Sequence, residues 1–544
     1  MATSTILRGT MLLTAATFLS KLLGMLYVIP FNHLVGETGG ALFYYAYNPY
    51  NILLSISTIG VPLAVSKFVS KYNSLGDYET GRRMFKSGML IMLITGFVAF
   101  LLLYLSADLM AKLILARADN PKGNSAEDIA MVIRMVSFAL IIVPAMSIVR
   151  GFFQGYQSMG PTAISQVVEQ IVRIIFLLSA AFVIVNVFNG SISTAVGYAT
   201  FAAFVGAVAS CIVLFLYWRR RKTYLDRQLQ QQTHTHDIPT RDLFKELFQY
   251  AGPFVLVGIA TPLYQQVDVF TFNNAMDAIG LKDISEFALG SVNFYSHKLV
   301  IIPVTIATGL SLAMLPAITK SFTEGKKSQM FYQMNQSFQI VMLFVLPAVV
   351  GLSLLSNEAY GALFDLNRID LTSNLLAWYA PVGLFYGLFA VSSSVLQGIN
   401  QQKFAVVSLS AGLLIKIILN VPLIHLFEAK GAIFGTFLAV FTAVLLNIWR
   451  IIVSVEFPMR ELIKRTMLIV IFTTIMAISV LLTKWGLSPF LFYRDGQMEA
   501  LVVLIISITV GAGIYLWLSY SSTLLERVLG SRVRVLDKFL RRTR

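Results

Sequence analysis

The sequence predicts an all-α polytopic membrane protein with about fourteen transmembrane helices. The expected arrangement is two six-helix bundles related by pseudo-two-fold symmetry, plus two C-terminal helices. Three observations carry this reading. Of 544 residues, 57% are hydrophobic and only 13% charged, which is more apolar surface than a water-soluble domain can hide. Apolar stretches long enough to cross a bilayer recur along the whole chain. Basic residues alternate with those stretches, so the net charge of +15 is a topology signal and not a nucleic-acid surface.

The apolar stretches start near residues 7, 40, 87, 128, 161, 192, 246, 290, 329, 371, 404, 431, 466 and 498. The first, about Leu7 to Phe31, is long enough to span and no small-residue cleavage motif follows it, so it reads as a helix and not as a cleaved signal. Placing the N-terminus in the cytoplasm assigns most of the 42 Lys and Arg residues to cytoplasmic segments. External loops such as Val187–Ser191 then carry no charge, and both termini are expected in the cytoplasm.

Residues 1–218 read as the first six-helix bundle and 219–245 as a cytoplasmic linker, basic at Arg219, Arg220, Arg221, Lys222 and Arg227. The Thr233-His234-Thr235-His236-Asp237 run reads as solvated linker, because no further metal ligands lie near it. Residues 246–454 form the second bundle, 455–520 helices 13 and 14, and 521–544 a basic cytoplasmic tail. In that tail Arg532, Arg534, Lys538, Arg541 and Arg542 alternate with Leu and Val, as in an interfacial helix on anionic lipid. The single cysteine, Cys211, falls inside a span, which excludes an internal disulfide and a cysteine metal cluster.

The two halves echo each other. Ile59-Gly60-Val61-Pro62-Leu63-Ala64 matches Thr308-Gly309-Leu310-Ser311-Leu312-Ala313, and at the same offset Lys71 matches Lys320 and Gly76 matches Gly325. A second echo pairs Phe153-Gln154-Gly155-Tyr156 with Leu396-Gln397-Gly398-Ile399, then Ser165 with Ser408, Arg173 with Lys416 and Ile174 with Ile417. Because six is even, both halves start on the same side of the membrane. This is the parallel-repeat design of rocking transporters, in which substrate binds near mid-membrane between the halves.

Five basic residues fall inside predicted spans: Lys21, Arg134, Arg173, Lys298 and Lys416, against two acids, Glu169 and Asp268. A charge at the centre of a span costs about 2.5–3.5 kcal/mol, so such residues mark pathways. Arg173 and Lys416 lie about twelve residues into their spans, roughly 18 Å from the cytoplasmic edge and near the midplane. Arg134 lies close enough to an external end to snorkel, and is expected to be peripheral. Glu169 stands one helical turn before Arg173 and is a candidate internal partner for it. Even so, at least two cations remain without an obvious acid. Phosphate or pyrophosphate is the natural counter-charge, since Arg binds it bidentately and Lys as a point charge. Lys21, Lys298, Arg173 and Lys416 are therefore the candidate substrate-binding residues. Asp268 is a candidate coupling site for Na⁺ or H⁺, with Asn420 and Thr436 as additional oxygen ligands. No other cofactor is expected.

Gly325-Lys326-Lys327-Ser328 lacks the earlier glycine and the spacing of a phosphate loop, and no nucleophile–base pair or metal cluster stands out, so enzyme activity is not expected. An exporter of organic cations would want an acidic cavity. A non-transporting scaffold for cell-wall synthases would have no need to bury five cations.

Two motifs carry a family resemblance that covers nearly the whole chain. One runs from Arg150-Gly151-Phe152-Phe153-Gln154-Gly155-Tyr156-Gln157-Ser158-Met159-Gly160-Pro161 through Ser165-Gln166 to Glu169-Gln170 and Arg173. The other is Tyr295-Ser296-His297-Lys298-Leu299, followed by Pro303, Gly309 and Leu315-Pro316. The chain resembles the multidrug/oligosaccharidyl-lipid/polysaccharide (MOP) flippase superfamily. Within it, the chain is most similar to the MurJ-type lipid II flippases and the stage V sporulation protein B and polysaccharide-export branch of Bacillus-type bacteria. The resemblance implies a V-shaped, alternating-access transporter whose helices 13 and 14 form a groove for a lipid tail; separately, a monomer is expected. Its implied partners are membrane lipids and lipid II, undecaprenyl-pyrophosphoryl disaccharide-pentapeptide, or another undecaprenyl-linked or sporulation-specific glycan. It also implies functional basic positions at Lys298 and at Lys21 within Ser20-Lys21-Leu22-Leu23-Gly24. The chain departs from the family pattern at Tyr27 and Val28, where many MurJ-type proteins carry an Arg and an Asp.

Overall fold

The computed structural model describes residues 2–58, 61–115, 123–230, 255–312, 314–364, 366 and 368–529. The His-containing run of the linker, the basic residues of the tail from Arg532 onward, the start of the span predicted at 246, and Ile59, Gly60 and Ala313 of the repeat lie outside the described residues. Every described element is helical. Eleven helices among the described residues are long and apolar enough to cross a membrane. The spans predicted at 7 and 40 fall in one such stretch, Ala15–Thr58, and the one predicted at 290 lies over shorter segments. The chain divides into two compact units, Met1–Asn274 and Ala275–Arg544.

Unit one begins with α1 (Ala2–Leu26) and α2 (Val28–Thr58). Gly36, at φ 64° and ψ −172°, breaks α2 into two helical parts, a backbone geometry that favours glycine. After α3 (Val61–Ser74) come α4 (Tyr78–Leu115), α5 (Ala126–Ser137), α6 (Ala139–Gly155), α7 (Met159–Phe182) with a π-helical turn over Val183–Val187, and α8 (Ile192–Gln230). Ser125 and Asp128 cap α5 reciprocally, each side chain taking the other's backbone N–H at 3.1 Å. Gly151 lets α6 close on the start of α3, since a Cβ there would sit 2.2 Å from the Pro62 carbonyl oxygen. The outer row of α4, Leu90, Leu102, Leu105 and Leu109, is exposed, as a lipid-facing surface requires. The residues of α9 (Ala260–Ala278) up to Asn274 also belong to unit one. They are held on α2 by Asn48 Nδ2 to Gln266 Oε1 (2.8 Å) and to the Pro262 carbonyl (3.1 Å), by the Tyr44 hydroxyl to the Gln265 carbonyl (3.1 Å), and by Asn273 Nδ2 to the Tyr45 hydroxyl (2.5 Å).

Unit two contains α10 (Lys282–Gly290), a π-helical turn over Ser291–Ser296, α11 (His297–Leu312), α12 (Leu315–Thr323), α13 (Lys327–Leu354) and α14 (Ser356–Leu363). It continues with α15 (Ile369–Tyr379), α16 (Val382–Gly398), α17 (Gln402–Phe427), α18 (Ala429–Val455), α19 (Met459–Leu487), α20 (Gln497–Ser521) and α21 (Leu524–Leu529). The late helices are anchored by polar contacts. Lys484 pairs with the buried Glu358 at 3.0 Å and donates to the Leu354 carbonyl at 2.8 Å, while the Tyr515 hydroxyl donates to the Leu343 carbonyl at 2.8 Å.

The repeat seen in the sequence is a repeat of hydrogen bonds. After α3, Asp77 N–H donates to the Tyr72 carbonyl (3.0 Å) and Gly76 N–H to Asn73 (3.2 Å), with Gly76 at φ 75°. After α12, Lys326 N–H donates to Ser321 (2.9 Å) and Gly325 N–H to Phe322 (3.1 Å), with Gly325 at φ 69°. Both helices end in the same left-handed glycine cap at the same sequence offset.

Candidate functional site

Arg173 projects from α7 onto an aromatic ladder in α2. Its guanidinium donates to the Tyr47 phenol oxygen and lies over the same ring, 4.9 Å from the centroid. Phe43 stacks on Tyr47 at 5.0 Å, and Tyr50 packs on it at 5.1 Å. Glu169 is not its partner. Instead, Glu169 is bound by Arg150 of α6 at 2.7 Å, and the same guanidinium donates to Ser165 Oγ at 2.9 Å and Ser210 Oγ at 2.7 Å. That removes the one nearby acid, and Arg173, half-buried, forms no ion pair among the described residues. The phenol hydrogen bond and the cation–π contact, the latter about 0.5–2 kcal/mol, compensate much of the cost of embedding the charge, yet they leave a full positive charge in place.

Arg150 is the residue that sequence reasoning passes over, as one letter in a motif. The signal was present. Arg150 and Ser165 are nearly equidistant from the turn at Gln157, whose φ is 55°, and Glu169 lies one helical turn beyond Ser165. A residue with Arg's reach on one arm of a helical hairpin meets both on the other.

The counterpart of Arg173 does not behave like Arg173. Lys416, expected to contact substrate, is fully buried between α17 and α18, where its ammonium donates to the Ala432 carbonyl (2.8 Å) and to Thr436 Oγ1 (2.7 Å). Gly435 makes room for Asn420 beside it, since a Cβ there would sit 2.9 Å from Asn420 Oδ1 but at an ordinary 3.5 Å from Lys416 Nζ. With no exposed surface, Lys416 is not a substrate contact in this structure. The same geometry corrects the expected roles of Thr436 and Asn420. Thr436 Oγ1 accepts from Lys416 and donates to the Ala432 carbonyl at 3.0 Å, and the fully buried Asn420 packs beside Gly435 in the same layer. Thr436 Oγ1 already serves an ammonium, and a metal cation placed beside it would be repelled by that charge. Of the three expected coupling residues, Asp268 is buried in α9, three residues beyond the Gln265 carbonyl that holds Tyr44.

Lys21 is exposed on α1, which packs against α7 through Thr17 Oγ1 to Gln166 Oε1 at 3.2 Å. Lys298 is half-buried in the first turn of α11, directly after a π-helical turn, a distortion often found at functional sites. Its neighbour His297 is fixed by Nδ1 to the Tyr379 hydroxyl at 2.8 Å. Arg134 pairs with Asp108 at 2.5 Å near the end of α4 and sits over Tyr104, in keeping with a peripheral residue. Among the described residues, no group of three or more His, Cys, Asp or Glu side chains converges on a metal position.

Eleven apolar helices among the described residues, in two compact units, define an all-α, multi-pass membrane protein. The polysaccharide biosynthesis protein family matches residues 6–322, and the MatE family matches residues 253–421. The lipid II flippase MurJ of Bacillus subtilis (strain 168) is 49% identical over 97% of this chain and 98% of its own length. Stage V sporulation protein B of the same organism is 24% identical over 76% of this chain and 77% of its own. The chain belongs to the polysaccharide biosynthesis protein family. Its fold is that of the inward-closed lipid II flippase MurJ structure (TM-score 0.61, 18% identity, 95% of this chain and 99% of that one). It is also that of an inward-facing multidrug resistance MATE transporter of the MOP superfamily (TM-score 0.62, 15% identity, 80% and 95% covered).

Proposed function

We propose that this protein flips a lipid-linked, pyrophosphate-bearing glycan across the bacterial cytoplasmic membrane, and that the glycan is lipid II, moved outward for peptidoglycan synthesis by alternating access. The observation that carries the reading is Arg173: a guanidinium on a predicted span that forms no ion pair among the described residues, Glu169 being taken by Arg150. Such a charge calls for an anionic substrate and speaks against export of organic cations. The length-wide similarity to the B. subtilis flippase supplies the identity of the anion. Lys21 and Lys298, both with accessible surface, add positive charge to the substrate path. Both termini lie in the cytoplasm and the protein works as a monomer. Asp268 couples transport to Na⁺ or H⁺.

The test is depletion of the protein in cells shown to lack any other lipid II flippase, with lipid II accessible at the outer face measured directly. Loss of outer-face lipid II with accumulation inside is expected. Undiminished export would overturn the reading, and normal lipid II export with arrest of a different lipid-linked glycan would shift it to that substrate.

A further inference from the structure

A second basic site exists in unit one, away from Arg173. One end of the bundle encloses a cavity of about 780 Å³ where α3, α4, the α6–α7 turn and the polar extension of α8 meet. Lys71, Asn73, Tyr156, Ser158, Arg221 and Gln228 are among its lining residues, and no carboxylate lines it.

Its two cations are uncompensated. Lys71 forms no ion pair among the described residues, and its ammonium lies over the Tyr72 ring, 5.5 Å from the centroid. Arg221 donates to the Ser158 hydroxyl and lies over Phe153 at 5.9 Å and Tyr217 at 6.0 Å. The acids nearby are engaged elsewhere: Asp226 is bound by Arg82 at 2.7 Å, and Asp77 accepts the Thr80 backbone N–H at 2.9 Å at the start of α4. Two buried acceptors, Asn73 Oδ1 and Gln228 Oε1, have no hydrogen-bond partner. Gln228 is held in this orientation because its Nε2 donates to the Tyr224 hydroxyl at 2.7 Å. Burial pushes the Tyr156 phenol above its usual range, against the opposing pull of Arg82 and of a hydrogen bond with the Asn73 side chain.

Two charges suited to phosphate oxygens and two acceptors suited to hydroxyl donors share one cavity. It lies where an apolar span of α8 gives way to the basic run Arg219–Arg227, at the level of lipid headgroups. We propose that this cavity binds the phosphate headgroup of a hydroxyl-bearing membrane lipid, with Lys71 and Arg221 on the phosphate and Asn73 and Gln228 on the hydroxyls. Two lipids share that chemistry, phosphatidylglycerol and a pyrophosphate-linked glycan, and the site does not depend on which glycan the protein transports.

The experiment uses the full-length protein in detergent micelles and measures retained lipid by native mass spectrometry. The probes are phosphatidylglycerol, an undecaprenyl-pyrophosphate disaccharide and, as a headgroup without hydroxyls, phosphatidylcholine. Phosphatidylglycerol or the disaccharide lipid should be retained about tenfold over phosphatidylcholine, and K71Q/R221Q should abolish that preference. The matched pair K222Q/R227Q, from the same basic run but outside the cavity lining, should preserve it. Lys71→Gln alone removes one exposed side chain without disturbing the Arg221–Ser158 contact, and should cost about fivefold. The tighter of the two hydroxyl-bearing probes names the source. Equal losses in both double variants, or no preference in the wild type, would overturn the proposal.

Discussion

The two units build the same polar junction from different chemistry. In unit one, Arg150 ties Ser165, Glu169 and Ser210 together across α6, α7 and α8. In unit two, Asn447 of α18 donates to Ser392 (3.1 Å) and Ser393 (2.9 Å) of α16 and accepts from Ser408 of α17. Ser165 and Ser408 are matched positions of the repeat, and Ser393 stands where the repeat offset places Arg150. One junction is ionic and the other neutral. The same contrast runs through the cations one layer further: Arg173 keeps accessible surface beside its tyrosines, whereas Lys416 is sealed in by a carbonyl and a hydroxyl. The repeat thus preserves where polar groups sit while reassigning what they do: at these matched positions, unit one has the charged junction and the accessible cation.

Breaking the junctions should give the largest effects. Glu169→Ala leaves Arg150 embedded without its acid and should cost about 3 kcal/mol, the low end for a buried pair because this one keeps some solvent contact. Asn447→Ala removes neutral bonds and should cost about 1–3 kcal/mol. Both are read by unfolding in mixed micelles, and a costlier Asn447→Ala would reverse the ranking of the two junctions. The cations sharpen the contrast functionally. Arg173→Ala should lower outer-face lipid II at least about tenfold at normal protein levels, the equivalent of about 1.4 kcal/mol. Lys416→Met, which replaces a buried ammonium by a chain of similar shape, should leave transport within about twofold. Comparable losses from the two would return Lys416 to the substrate path. Asp268→Asn should flatten any dependence of transport on a Na⁺ or proton gradient, and an unchanged gradient response would remove it from coupling. The smallest effects belong to the matched caps, where Gly76→Ala and Gly325→Ala should each cost about 1 kcal/mol because the left-handed backbone then carries a Cβ.

Much of the architecture was legible because the bilayer imposes it. An apolar stretch near twenty residues long has few alternatives to a spanning helix, and this constraint recovered most spans; the repeat was legible separately, in residues matched at fixed offsets. The site was legible only in part. Arg173 was found because it interrupts an apolar helix, but its true environment depends on Tyr47, which is more than a hundred residues away in the chain and carries no charge to betray it. Lys416 and Arg173 look alike in one dimension. What separates them is the acceptor pair on α18, the Ala432 carbonyl and the Thr436 hydroxyl, against which the lysine folds inward. Arg150 escaped because it stands near the end of its helix, where a basic residue passes for a topology marker.

The pairing of Lys484 with Glu358 sets an order on how this chain is made. Glu358 is synthesised more than a hundred residues before its partner, so at about 5–20 residues per second the acid waits roughly 6–25 s for Lys484 to leave the ribosome. During that interval its carboxylate has to remain in a hydrated vestibule of the insertion machinery or be protonated, because its final site lies buried against α19. The span α19 therefore acts as a latch of biogenesis: unit two closes around Glu358 only after α19 has been threaded into the bilayer.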